Sequence, residues 1–375
     1  MTTIENRRFA LLVAAGVILF LLWQTWQKEH GSGAQPVSAA PAAAQSPAPA
    51  DEVPAAAAGA IQQEPSSSGP APGAADNSVV APQGHAAAAT APEQKVNVET
   101  DVLRVEISTQ GGDLRHVELK GYPFAKRLPE QNVALLDDKP DRWFVIQSGL
   151  AGTGAAVVSH KDIYRAAAPR YVLAEGSDQL EVPLEYTGAD GLAVTKTYRF
   201  RRGSYVVDLA HALRTGDAPL TASPYVQLWR TPFSAGEEPP FTSTFMGLGF
   251  YEQKSGGDSY RFRKVSFEDL AEDPVELKQS GGWLAMLQHY FFAAVIPPAG
   301  EAATFVGKPS TARGFLAQYI GAAQEIPAQA ERTFSSQLYI GPKVQHTLAD
   351  IAPGLELTID YGILTPVAEP LFWLL

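Results

Sequence analysis

Seven histidines and a few adjacent carboxylates are the side chains of this 375-residue sequence that could move protons or hold a metal. Acid–base chemistry needs two such groups converging on one bond, and a metal needs ligands at short spacing. His30 and His85 lie in a segment of mostly small residues, and His116, His160, His211, His289 and His346 stand singly. Asp137-Asp138, Glu237-Glu238 and Glu268-Asp269 are neighbours in turn-like or helix-start contexts, which predicts solvated charges. "VGKPS" (306–310) resembles the end of a phosphate loop, but Ala302 stands where its first glycine is needed, and "GLGF" (247–250) lacks the third glycine of a dinucleotide fingerprint. There is no G-x-S-x-G, no H-E-x-x-H and no cysteine. The sequence therefore predicts no catalytic residue, no metal site and no cofactor.

The elements that would have to position such groups point elsewhere. The net charge of −11 argues against nucleic acid as a partner, because neutralising phosphates needs a basic surface. Arg7 and Arg8 precede an apolar run from Phe9, with Trp23 and Trp26 at its far end. At about 18 residues, 9–26 is near the lower limit for a spanning helix, and the two tryptophans suit a headgroup boundary. A small-x-small site in "PVSAA" (36–40) lies too far beyond the apolar core for signal cleavage. The expectation is an uncleaved anchor, with residues 1–8 held in the cytoplasm by the two arginines and the remainder exported. Residues 27–92 are dominated by Ala, Pro, Gly, Ser and Gln, a composition that cannot bury enough apolar surface to order itself. They are expected to be a linker, of roughly 40–50 Å r.m.s. span if flexible.

From residue 93 the pattern changes to short alternating strands. Leu103, Val105 and Ile107 alternate with polar residues before a turn at "QGGD" (110–113). Val194, Tyr198 and Phe200 share one face, "RRGS" (201–204) turns, and Tyr205, Val207, Leu209 and Leu213 return. Only "VSFEDLAED" (265–273) and "GPKVQHTLADI" (341–351) read as short helices, the second with Pro342 near its start. This predicts a mainly β domain over 93–357. The most apolar run, "GGWLAMLQHYFFAAVIP" (281–297), is too short and too polar at its centre for a membrane span. If it is one extended strand, Trp283, Ala285, Leu287, Phe291 and Val295 share a face; Leu284, Met286, Tyr290, Phe292 and Ile296 share the other. Both faces are apolar, which predicts a core strand covered on both sides, with Gln288 and His289 needing internal partners. The tail "DYGILTPVAEPLFWLL" (360–375), with Tyr361, Leu371, Phe372 and Trp373, reads as an interfacial segment within 358–375.

In order along the chain, the anchor, the Ala/Pro linker, "DVLRVEISTQGGDLRHVELKGYP" (101–123), "GGWLAMLQHYFFAAVIP" and "LYIGPKVQHTLADIAPGLELTIDYGILTPVAEPLF" (338–372) resemble the YidC membrane protein insertases of Gram-negative bacteria. The resemblance implies a periplasmic β-supersandwich, mutarotase-like in shape, on an inner membrane anchor. It implies a chaperone role in inserting and folding inner-membrane proteins, with nascent inner-membrane proteins, Sec translocon components and the lipid bilayer as partners. It also implies five further transmembrane helices beyond residue 375, so the chain reads as a fragment lacking the insertase core. Two other readings are a membrane-anchored sugar-binding or mutarotase-like enzyme and an adaptor of an envelope complex. The first lacks a clustered acid and base, the second a long heptad hairpin.

Overall fold

A computed structural model describes residues 92–125, 128–152, 156–188, 191–232, 245–254 and 259–359. Arg7, Arg8, Phe9, Trp23, Trp26, Tyr361, Leu371, Phe372 and Trp373 lie outside the described residues, as do Glu237 and Glu238. Among the described residues no helix is long and apolar enough to cross a membrane.

Among the described residues the alternating patterns fold into two sheets, of twelve and nine strands. The backbone of the first runs 275–280, 302–309, 315–321, 220–230, 144–152, 113–125, 103–108, 95–99 and 170–172 in spatial order. The second runs 260–266, 247–253, 283–287, 291–296, 331–342, 206–214, 193–201, 179–187 and 165–166. Their facing sides bury one continuous core that includes Leu103, Ile146, Leu209, Phe250, Met286 and Leu338. The fold is therefore mainly β, two sheets packed face to face with few helices.

Turn chemistry sets the ends. Gly111 and Gly112 adopt φ of +71° and +63° in the "QGGD" turn, a left-handed conformation that side chains disfavour. Their carbonyls then face the second sheet, where Lys196 Nζ and the Tyr198 hydroxyl donate to them. The turn is thus pinned across the sandwich rather than merely reversing a strand.

The apolar run at 281–297 is not one strand. It is a hairpin of 283–287 and 291–296 with Leu287 opposite Phe292. Gln288, His289 and Tyr290 form its turn, and Tyr290 is 65% exposed. The turn shifts the face assignment: Leu284, Met286, Ala293 and Val295 enter the core between the sheets, while Trp283, Ala285, Leu287, Phe292, Ala294 and Ile296 point the other way. Expecting Phe291 and Val295 beside Trp283, and Phe292 opposite it, was the error of counting straight through a reversal. Both faces are nevertheless covered. The second is roofed by a helix at Gln345–Ile351 and a 3-10 turn at Leu355–Thr358, through Leu348, Ala352 and Leu355. Pro342 ends the preceding strand rather than opening this helix. The other short helix, Phe267–Glu272, starts with a capping box in which Ser266 and Asp269 bond reciprocally.

Candidate functional site

The outer face of the second sheet carries a cleft of about 850 Å³. Its floor follows from strand register. Glu181, Arg199, Asp208 and Gln337 stand opposite one another on four adjacent strands and form one polar row. The neighbouring row, Thr197, Ala210 and Ser335, consists of small side chains and gives the cleft its depth. Arg199 pairs with Glu181 at 2.7 Å. Arg201 pairs with Asp208, which also accepts from Gln337 Nε2 at 2.9 Å. Each carboxylate of the floor is therefore held beside a guanidinium, so neither is a free general base.

The facing wall is apolar. Tyr260, Tyr251 and Trp283 stack as a ladder, with centroid separations of 5.2 and 5.6 Å, and Ile296, Pro297 and Pro353 continue it. Glycine is required at the corner. Gly282 has φ +82°, and a Cβ there would sit 2.2 Å from the Tyr251 carbonyl oxygen. Its absence lets Gln279 donate to that oxygen at 3.0 Å and accept from Gln253 N–H at 2.9 Å. Trp283 Nε1 donates to the Pro353 carbonyl at 2.9 Å and ties the roof to the hairpin.

A second groove, of about 820 Å³, runs between the hairpin 113–125/128–136 and the Gln288–Tyr290 turn. Phe124 and Tyr290 are exposed on its rim, and Tyr122 packs edge-on to Phe291 at 5.4 Å beneath it. Arg104 Nη1 donates to both carboxylate oxygens of Glu118 at 3.0 Å.

The remaining titratable groups of interest are inside the sandwich. Lys196 and His211 are cross-strand neighbours facing the core. Lys196 donates to the Gly111 and Ser148 carbonyls, and burial pushes its pKa down to about 8, partly offset by the charge of Asp113. Burial, with the nearby Lys196 charge, holds His211 well below the usual imidazole value. His160 is lowered to about 3, first by burial and then by the charges of Lys161, Lys196 and Arg115. The Tyr225 hydroxyl accepts from the His160 backbone N–H at 3.1 Å and lies within hydrogen-bond reach of the neutral ring, 2.9 Å from Nδ1. These residues brace the interior; the clefts do not reach them.

Trp283 and Leu287 are 1% and 0% exposed on the roofed face of the second sheet, whereas Phe291 is half-buried at the hairpin turn. Asp137 is not the solvated loop charge its sequence context predicts: it is 6% exposed, beside Lys139 Nζ at 3.4 Å and His116 Nδ1 at 3.8 Å. "GLGF" and "VGKP" are strand segments. Among the described residues no group of three histidines or carboxylates converges on a metal position. The cleft residues escaped sequence reading because their neighbourhood exists only through register across four strands.

The profile of the YidC periplasmic domain matches residues 95–374. The membrane protein insertase YidC of Methylococcus capsulatus is 39% identical over 99% of this chain and 64% of its own length. Its counterpart in Thioalkalivibrio sulfidiphilus is 37% identical over the same shares. The chain thus spans just under two thirds of these relatives. Among solved structures, a galactose mutarotase related enzyme from Lactobacillus acidophilus aligns over 66% of this chain and 97% of its own at 7% identity and TM-score 0.44. A putative aldose 1-epimerase from Escherichia coli K12 aligns over 66% and 99% at 8% identity and TM-score 0.40; likenesses this distant carry nothing about function. With three quarters of its length matched by the one profile, the chain belongs to the YidC family and carries that family's periplasmic domain.

Proposed function

We propose that this chain is the membrane-anchored, periplasmic portion of a membrane protein insertase, assisting insertion and folding of inner-membrane proteins, alone or with the Sec translocon. The observation that carries the reading is the match to the YidC periplasmic domain over 95–374, downstream of an apolar segment at 9–26 preceded by Arg7 and Arg8. On this reading residues 1–8 stay in the cytoplasm, 9–26 cross the inner membrane, 27–92 form a linker, the β domain stands in the periplasm, and 358–375 return to the bilayer surface. Nascent inner-membrane proteins, Sec components and lipid are the partners. On this reading the domain acts without turning over a substrate, which is supported by the pairing of Glu181 and Asp208, the carboxylates of the larger cleft, each with an arginine.

Insertion asks for more than the apolar stretch at 9–26 offers. A polar client segment needs a wet or polar route, because a charge at the bilayer centre costs about 2.5–3.5 kcal/mol or more. The stretch Phe9–Trp26 has Gln24 and Thr25 as its polar groups, both at one end. Reconstituted in liposomes with a small phage coat protein, these 375 residues should give no insertion. The insertase of Methylococcus capsulatus, assayed at its full length, should insert it. Insertion by the 375 residues alone, or none by that full-length relative, contradicts the proposal.

A further inference from the structure

We propose that the cleft on the outer face of the second sheet is a binding site for a neutral saccharide, which it holds without turning it over. The first argument is charge. The four ionised groups of the polar row and its flank form two pairs, Arg199–Glu181 and Arg201–Asp208, so the floor presents no net charge to a ligand. An anionic or cationic ligand would meet a like charge beside each opposite one; a neutral ligand would not.

The second argument is the arrangement of donors and acceptors. Glu181, Arg199, Asp208 and Gln337 alternate acceptor and donor along one cross-strand row. Asp208 is fixed from two sides, by Arg201 and by Gln337. Such a row suits vicinal hydroxyls, each of which gives one hydrogen bond and accepts others. Half of the Glu181 and Arg199 side-chain surfaces remains open (47% and 44% exposed), so their unused lone pairs and N–H groups are reachable.

The third argument is shape. The small row Thr197–Ala210–Ser335 leaves a flat trough, and the opposite wall is made of Tyr260, Pro297 and Pro353. A pyranose ring has this same division, a rim of hydroxyls and an apolar face of C–H groups. Pockets that bury a ligand combine an apolar lining with a few placed polar groups, and about 850 Å³ accommodates more than one ring. Because both carboxylates are locked to guanidinium groups, the site can bind and orient a sugar but lacks a free proton carrier.

The test is titration calorimetry on the whole chain, purified in a detergent without a sugar headgroup, with maltotriose and with N,N′-diacetylchitobiose as probes. At least one should bind with a dissociation constant in the millimolar range or below. Ser335→Trp, at an exposed position where folding is not at stake, should fill the trough and abolish binding. Asp208→Asn should weaken it at least about tenfold, by loss of a charge-assisted hydrogen bond. The proposal is overturned if neither sugar binds, if binding survives Ser335→Trp, or if an extended neutral decapeptide binds in the cleft while the sugars do not.

Discussion

Two buried histidines set how this domain responds to acid. His160 and His211 are neutral in the fold, with His160 lowered to about 3 and His211 well below its ordinary value by burial. In the unfolded chain both titrate near 6.5. Between pH 6.5 and the folded values the unfolded state therefore holds more protons, and stability is lost as pH falls through that window. From pH 7.5 to pH 5, His160 alone should remove about 2 kcal/mol, and His211 should add a loss of the same sign. Urea melts at the two pH values check this: His160→Gln with His211→Gln should flatten the difference. Lys196 acts at the other end of the scale. Its folded pKa of about 8 lies below its ordinary 10.5, so its burial cost is fully present below pH 8 and is relieved as pH rises toward 10.5. None of these roles was legible in the sequence, where each histidine stands alone and Lys196 looks like any strand lysine. Alternation with Val194 and Tyr198 does place Lys196 on the inward face, but its acceptors, the Gly111 and Ser148 carbonyls, lie 85 and 48 residues away.

At the scale of elements, strands and turns were legible because alternation and glycine punctuation are local, while the hairpin inside 281–297 was not. Its turn, Gln288-His289-Tyr290, contains neither glycine nor proline, so nothing marked the reversal. The corrected hairpin changes which phenylalanine matters. Phe292 is 0% exposed and stacks on Tyr339 at 4.6 Å, whereas Phe291 is half-buried at the end of its strand. Phe292→Ala should cost roughly 3–5 kcal/mol through lost burial and the cavity left, and Phe291→Ala clearly less, as read from denaturant midpoints. Equal costs would mean the turn lies elsewhere. The C-terminal roof gives a second expectation. Leu348, Ala352 and Leu355 cover Trp283, Leu287 and Phe292, so a domain of residues 93–359 should be soluble without detergent. Ending it at residue 343 should expose that apolar face and drive aggregation, detectable by light scattering.

For the whole molecule, composition and order along the chain carried most of the information. The absence of cysteine, the charge of −11 and the change of texture at residue 93 bounded the class, and the family was legible from stretches that the YidC periplasmic profile also spans. The cleft was not, since its polar row takes one residue from each of three successive strands and a fourth from a strand 129 residues beyond Asp208. The proposal most open to direct test is that an N-terminal anchor holds this β domain on the outer side of the inner membrane. The most direct measurement is a pair of alkaline phosphatase fusions, at residue 35 and after residue 359, assayed in intact bacteria. The account predicts high phosphatase activity from both, with an intact N-terminus on the membrane-bound product. Phosphatase silence at either position, or a mature N-terminus near Ala39, would contradict it.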